Sequence, residues 1–209
     1  MKISFLGDSI TQGCGATTYK NCYVALLGEK YGFEAKNYGI GGTRISRQKE
    51  KSEYEIYDRD FIGRVDGIDG DSDFVFVFGG TNDQGHGKAK FGLKTDNTPY
   101  TFCGAVNFLS DMLTEKFGKD KICFILPLKR YKGEEPNING KSLGDYANAI
   151  REILQNKGVD YIDLYNGGFN EPVTDKGDEF TVDGLHPNDK GHLFIANKVA
   201  EYLKAKGII

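Results

Sequence analysis

Phe74-Val75-Phe76-Val77-Phe78, followed at once by Gly79-Gly80-Thr81-Asn82-Asp83, is the stretch on which the fold turns. Five β-branched and aromatic residues with no polar interruption are what a central strand needs when both of its faces are covered. The small and polar residues behind it mark an abrupt strand end. Working outward, short apolar runs at 3–6, 33–38, 122–126 and 159–163 read as further strands. Between them lie helical patterns at 21–31, 101–117, 142–157 and 188–206, each carrying an apolar stripe at helical spacing. Gly32 and Gly158 stand where a helix C-cap is expected, and Pro127 stops the fourth strand. Strands alternating with helices predict a three-layer α/β domain with a parallel sheet and helices on both faces.

The chain has 209 residues, a length that predicts one domain over 1–209. With 27 basic and 30 acidic residues the formal net charge is −3, which excludes a strongly basic nucleic-acid binder and an acidic disordered tail. No run approaches the roughly 18 apolar residues of a membrane span, so no membrane partner is expected. The opening Met1-Lys2-Ile3-Ser4-Phe5-Leu6 reaches Gly7-Asp8 too soon for the roughly 7–15 apolar residues of an export signal, and a cytoplasmic location is the expectation. Cys14, Cys22, Cys103 and Cys123 form no C-x-x-C pair, which leaves zinc-ribbon and thioredoxin-like readings unsupported. All four are read as structural thiols, with Cys14, in a Gly-rich turn, the one to watch for reactivity. Two stretches, 44–73 and 85–99, stand out as insertions; long loops of that kind tend to be lids, binding loops or mobile surface.

In an open parallel sheet, ligands bind beyond the carboxyl ends of the strands. Four small or polar clusters fall there: Gly7-Asp8-Ser9-Ile10-Thr11, Gly39-Ile40-Gly41-Gly42-Thr43, Gly79-Gly80-Thr81-Asn82-Asp83 and Asp183-Gly184-Leu185-His186-Pro187. A serine hydroxyl is a weak nucleophile until a base takes its proton, and the base works best when a third group orients it. Ser9 sits at a strand-to-loop transition. Asp183 and His186 are three residues apart, so one turn can present both, and Pro187 holds His186 in extended backbone. A carboxylate on one ring nitrogen leaves the other free to accept the Ser9 proton. Donors for a developing oxyanion are the backbone N–H groups of Ser9 and Gly42 and the side-chain amide of Asn82.

Each of these residues has a plainer reading. Ser9 can be a helix N-cap, as can Asp8; the glycines can be turn residues; Asn82-Asp83 can cap the next helix. What the plainer readings leave unexplained is the convergence of all four clusters on one sheet edge. Of the other histidines, His86 lies in a Gly-rich stretch with only Asp83 nearby, and His192 lies within the last helix beside Leu193 and Phe194. His186 alone combines a loop position with a neighbouring acid.

Taken together, the four clusters resemble the blocks of the SGNH hydrolases, the GDSL-type esterase/lipase family. Gly7-Asp8-Ser9-Ile10 is similar to the first block, with Ile where Leu is usual. Asn37-Tyr38-Gly39-Ile40-Gly41-Gly42 is similar to the second, Gly80-Thr81-Asn82-Asp83 to the third and Asp183-Gly184-Leu185-His186-Pro187 to the last. The resemblance implies a flavodoxin-like sheet of order 2-1-3-4-5. It also implies Ser9 as nucleophile, His186 as base, Asp183 as its orienting acid, and Ser9, Gly42 and Asn82 as oxyanion donors. The activity implied is metal-free and cofactor-free hydrolysis of a small-molecule ester through an acyl-enzyme, by an esterase or acylhydrolase. Relatives often carry Asp after the second-block glycine; here it is Thr43, so any hydrogen bond from that Asp is missing. The stretches 44–73 and 85–99 lie outside the motif and are expected to shape the acyl or alcohol pocket.

Other classes fit less well. Gly13-Cys14-Gly15-Ala16-Thr17-Thr18 fails the dinucleotide fingerprint at its last position, and no P-loop Lys-Ser/Thr is present. No G-x-S-x-G occurs, which excludes the ordinary α/β-hydrolase order. Small acyl esters are the expected substrates, with acetylated carbohydrates as one class among them. Lysophospholipase or thioesterase-like activity, and a catalytically silent carbohydrate-binding member of the same fold, stand as alternatives. The sequence leaves open a homo-oligomer.

Overall fold

Strand pairing is parallel throughout the sheet of the computed structural model, which describes residues 1–172 and 174–209. The strands are β1 (Lys2–Gly7), β2 (Glu34–Gly39), β3 (Phe74–Phe78), β4 (Ile122–Ile125) and β5 (Asp160–Ile162), in the order β2-β1-β3-β4-β5. The helices are α1 (Ser9–Gln12), α2 (Tyr23–Tyr31), α3 (Phe61–Arg64), α4 (Thr81–His86), α5 (Phe102–Phe117), α6 (Leu143–Lys157), α7 (Leu164–Gly167) and α8 (Asp189–Ala205). The architecture is the flavodoxin-like α/β/α sandwich expected from the resemblance.

Two-residue periodicity splits the central strand cleanly. Val75 and Val77 point to the face covered by α3, α5 and α6, together with Leu6 and Phe124. Phe74, Phe76 and Phe78 point to the other face, against α2, α8 and Leu164 of α7. On that side the Phe5 and Phe76 rings stack at 5.2 Å. Each such side chain, fully buried, stabilises the fold by about 1.5–3 kcal/mol relative to exposure. Local signals set the ends. Gly32 closes α2 in the left-handed region, a Ser142–Asp145 capping box opens α6, and Asn188 caps α8 through the Gly191 N–H.

The stretch 44–73 is not a surface insertion. Because β2 lies at the sheet edge and β3 lies beyond β1, a connection must cross β1 to reach β3, and 44–73 is that crossover. Its apolar residues Ile45, Phe61, Ile62, Val65 and Ile68 belong to the core. Its charge content hid this, since two of the charged groups, Arg44 and Asp60, are themselves buried. The stretch 85–99 is also anchored: Lys90 bridges to Thr101, and Phe91 packs on the core beside α5. Chain direction reverses between the connection leaving β1 and the one leaving β3, which opens a crevice at their carboxyl ends.

Candidate active site

Ser9 follows β1 directly, and the residue before it decides what its hydroxyl is free to do. Asp8, not Ser9, is the N-cap of α1; its Oδ1 accepts from the Ile10 N–H at 3.0 Å. The Ser9 hydroxyl is thereby released from capping. Asp8 is buried at 2% exposure, and desolvation raises its pKa from 3.8 to about 6 against the pull of the Ile10 N–H.

The last cluster folds on its own carboxylate. Asp183 Oδ1 accepts from the N–H groups of Leu185 at 3.0 Å and His186 at 2.7 Å, and its Oδ2 lies 2.7 Å from His186 Nδ1. Because a carboxylate only accepts, the ring proton sits on Nδ1 and Nε2 is left with its lone pair. His186 Nε2 lies 3.0 Å from Ser9 Oγ, where it accepts the hydroxyl proton. Burial opposes the Asp183 charge, but the His186 ring and backbone donors outweigh it and hold the carboxyl below its ordinary pKa. The two ends of the chain meet closely here. Gly15 has φ +90°, and a Cβ on it would stand 2.2 Å from the Pro187 carbonyl. The Gly-rich turn at 13–15 therefore serves backbone approach to the His186 loop rather than phosphate.

The second and third clusters flank Ser9. Gly41 lies beside the Ser9 side chain, and its N–H donates to Gln12 Oε1 at 2.7 Å. The N–H groups of Ser9 and Gly42 have no acceptor among the described residues. Gly42 has φ +73°, and the Tyr57 ring fills the space a Cβ there would need. Asn82 lies in the first turn of α4; its Nδ2 donates to the Thr43 carbonyl at 2.9 Å, which fixes the amide and leaves its second proton available.

Two residues that spacing did not reveal hold this side together. Asp83, buried, accepts from the Ile45 N–H at 2.9 Å, the Ser46 N–H at 2.9 Å and the Ser46 hydroxyl at 2.6 Å. Arg64 donates to the carbonyls of Tyr38 at 2.6 Å and Gly7 at 3.1 Å and to the Thr43 hydroxyl at 2.9 Å, so one guanidinium ties β1, β2 and the Gly42 loop. Burial lowers its pKa to about 10. Thr43, in the place where relatives often have Asp, thus contributes its hydroxyl to Arg64 and its carbonyl to Asn82. The only sequence signal for Arg64 would have been a basic residue between Ile62 and Val65, both core positions.

The other candidates fall away from the Ser9 hydroxyl. His192 is fully buried, accepting from the Tyr23 N–H and donating to the Cys14 carbonyl, and burial lowers its pKa. His86 is exposed and its Nδ1 faces Arg44 Nη1 at 3.2 Å. Cys14, Cys22, Cys103 and Cys123 are all free thiols. Burial and the nearby Asp8 and Asp183 charges push the Cys14 thiol up, away from the reactive thiolate.

With this geometry in place, comparison with known proteins assigns the class. The model of the GDSL-like Lipase/Acylhydrolase family matches residues 5–193, and the chain belongs to that family, whose members are hydrolases of esterase and lipase type. A solved structure from Lactobacillus plantarum is 30% identical over 98% of this chain and 96% of its own, with a TM-score of 0.84. The acetyl xylan esterase AlAXEase is 24% identical over 97% of this chain and 100% of its own, with a TM-score of 0.68. A lipase/acylhydrolase from Enterococcus faecalis is 22% identical over 98% of this chain and 96% of its own, with a TM-score of 0.69. The latter two share the fold. No curated protein matches the chain in sequence. No helix among the described residues is long and apolar enough to cross a membrane.

Proposed function

We propose that this chain, as one domain over residues 1–209, hydrolyses small carboxylic esters, with O-acetylated carbohydrates the favoured class. The observation that carries the reading is the unbroken line from Asp183 Oδ2 to His186 Nδ1 at 2.7 Å and from His186 Nε2 to Ser9 Oγ at 3.0 Å. In the proposed reaction Ser9 Oγ attacks the ester carbonyl carbon while His186 Nε2 takes its proton. The carbonyl electron pair moves onto oxygen, which is held by the N–H groups of Ser9 and Gly42 and by the Asn82 amide. Collapse expels the alkoxide, which leaves with the proton from His186. Water then repeats the sequence on the acyl-serine and releases the carboxylic acid.

The acetyl xylan esterase with the same fold acts in keeping with this substrate class. The polar wall beside Gly42, which includes Arg44, Ser52, Tyr57 and His86, favours it over lysophospholipid or long-chain thioester substrates. No metal or cofactor takes part in the proposed steps, which require the ester and water. A cytoplasmic setting belongs to the same proposal and rests on four unpaired thiols.

Replacing the nucleophile tests the reading most directly. Ser9→Ala should lower kcat for p-nitrophenyl acetate by about 10⁶-fold while leaving the thermal unfolding midpoint in place. Near-native turnover by a folded Ser9→Ala protein would overturn it.

A further inference from the structure

Beside the Gly42 loop lies a cavity of about 260 Å³ whose walls include Arg44, Ser52, Tyr57 and His86. None of these takes part in the steps above. The position of His86 follows from α4: it stands four residues after Asn82, on the same helix face and about one turn, roughly 6 Å, further along. Its ring lies 5.1 Å from that of Tyr57, which in turn covers Gly42. The exposed Tyr54 ring extends the row, 5.2 Å from Tyr57.

Arg44 decides which proton His86 carries. The guanidinium is only 3% exposed and is held by the Tyr57 carbonyl at 3.1 Å, by Asp58 Oδ1 at 3.3 Å and by the Ser52 hydroxyl. Its Nη1 lies 3.2 Å from His86 Nδ1. A guanidinium has no lone pair to offer, so Nδ1 must be the acceptor and the ring proton must sit on Nε2. Although the residue is exposed overall, desolvation of its ring, and then the Arg44 charge itself, keep the ring neutral by lowering its pKa. The outcome is a fixed Nε2–H donor with no acceptor among the described residues, one helical turn from the proposed oxyanion site.

The lining also selects charge and shape. Lys51 and Lys88 are matched in the same wall by Glu50 and Glu53, with Lys88 and Glu50 3.7 Å apart, and Arg44 is paired with Asp58 at 3.3 Å, so no field of one sign favours an ion. A fatty chain would leave these polar groups without water or partners. Aromatic rings flanked by hydrogen-bonding groups suit a ring with apolar faces and an oxygen-bearing rim.

We propose that His86 and Tyr57 form a subsite for the non-reacting part of the substrate, a neutral, hydroxyl-rich ring. His86 Nε2–H donates to one of its oxygens and Tyr57 packs against its face. This rests on the esterase reading for its catalytic consequence, but the binding event can be measured without turnover.

The first test compares selectivity. The ratio of kcat/KM for an O-acetylated methyl pyranoside to that for p-nitrophenyl acetate should fall about tenfold in His86→Phe, the size of one lost hydrogen bond. His86→Gln, which restores an N–H donor, should recover part of the ratio. An unchanged ratio in His86→Phe would overturn the subsite. The second test uses Ser9→Ala protein and ¹⁵N NMR of the His86 ring. The resonances should report the Nε2–H tautomer, and the O-acetylated methyl pyranoside should shift them while ethyl acetate at equal concentration does not. An Nδ1–H tautomer, or no shift with the pyranoside, would overturn the proposal. If wild-type protein hydrolyses neither ester, the esterase reading fails while the NMR titration still decides the subsite.

Discussion

Asp183 and Asp83 each accept three hydrogen bonds, but they organise very different amounts of chain. Asp183 binds groups two and three residues away, in Leu185 and His186, and stays exposed. Asp83 reaches back 37 and 38 residues to Ser46 and Ile45 and is buried at 2% exposure. The base side of the site is thus a self-contained turn. The oxyanion side is a junction of distant segments, held by Asp83, by Arg64 and by the Asn82–Thr43 bond. A local turn can be altered with consequences confined to chemistry; a junction carries chemistry and folding together.

That contrast sets the order of expected effects. Asp183→Asn should lower kcat by about 10⁴-fold, because the carboxamide no longer fixes the imidazole tautomer. Its unfolding midpoint should stay close to that of the parent, since the turn is exposed. A matching loss of stability would break the distinction drawn here. Asn82→Ala should lower kcat by about 10²–10³-fold with KM little changed, the signature of a donor that acts on transition-state charge. If kinetics showed KM rising at constant kcat, the amide would instead be binding the ground state.

Asp83→Ala should be the reverse of Asp183→Asn. Stranding the buried Ile45 and Ser46 N–H groups costs about 1–3 kcal/mol each, so denaturant unfolding should reveal a loss of several kcal/mol. Hydrogen exchange should locate early opening at 43–46, and protection there equal to the parent's would remove Asp83 from its assigned role. The smallest effect is expected at Asp8. Its folded pKa of about 6 exceeds the ordinary 3.8, so between those values the folded chain holds the extra proton and stability falls as pH rises. Asp8→Asn keeps an acceptor for the Ile10 N–H and removes that penalty, so the unfolding midpoint at pH 7 should rise. Asp183 contributes with opposite sign but little, because it is exposed: its depressed pKa gives a small stability at neutral pH that is lost on acidification. An Asp8→Asn protein whose midpoint follows the parent's between pH 4 and 7 would contradict the assignment.

The same contrast explains how much was legible before any coordinates. Phe74–Phe78 announced a central strand because its residues satisfy both faces at once, and glycine caps fixed the ends of α2 and α6. Asp183 and His186 could be paired from spacing, since the hydrogen bonds that join them lie within one turn. Arg64, Asp83 and the crossover at 44–73 were opaque for the opposite reason. A half-buried arginine whose acceptors are carbonyls 26 and 57 residues away has no spacing signature, and in a charged stretch it looks like surface. The oxyanion donors were legible as residue types at strand ends; what aims them was not.

The contact between Ser9 and His186 joins positions separated by 177 residues, with Gly15 pressed against Pro187 beside it. During synthesis on the ribosome, the nucleophile emerges 177 residues before its activating imidazole. Under the proposed mechanism, a nascent chain therefore remains chemically silent until the His186 loop has been delivered, and fragments that stop short of it would be inert.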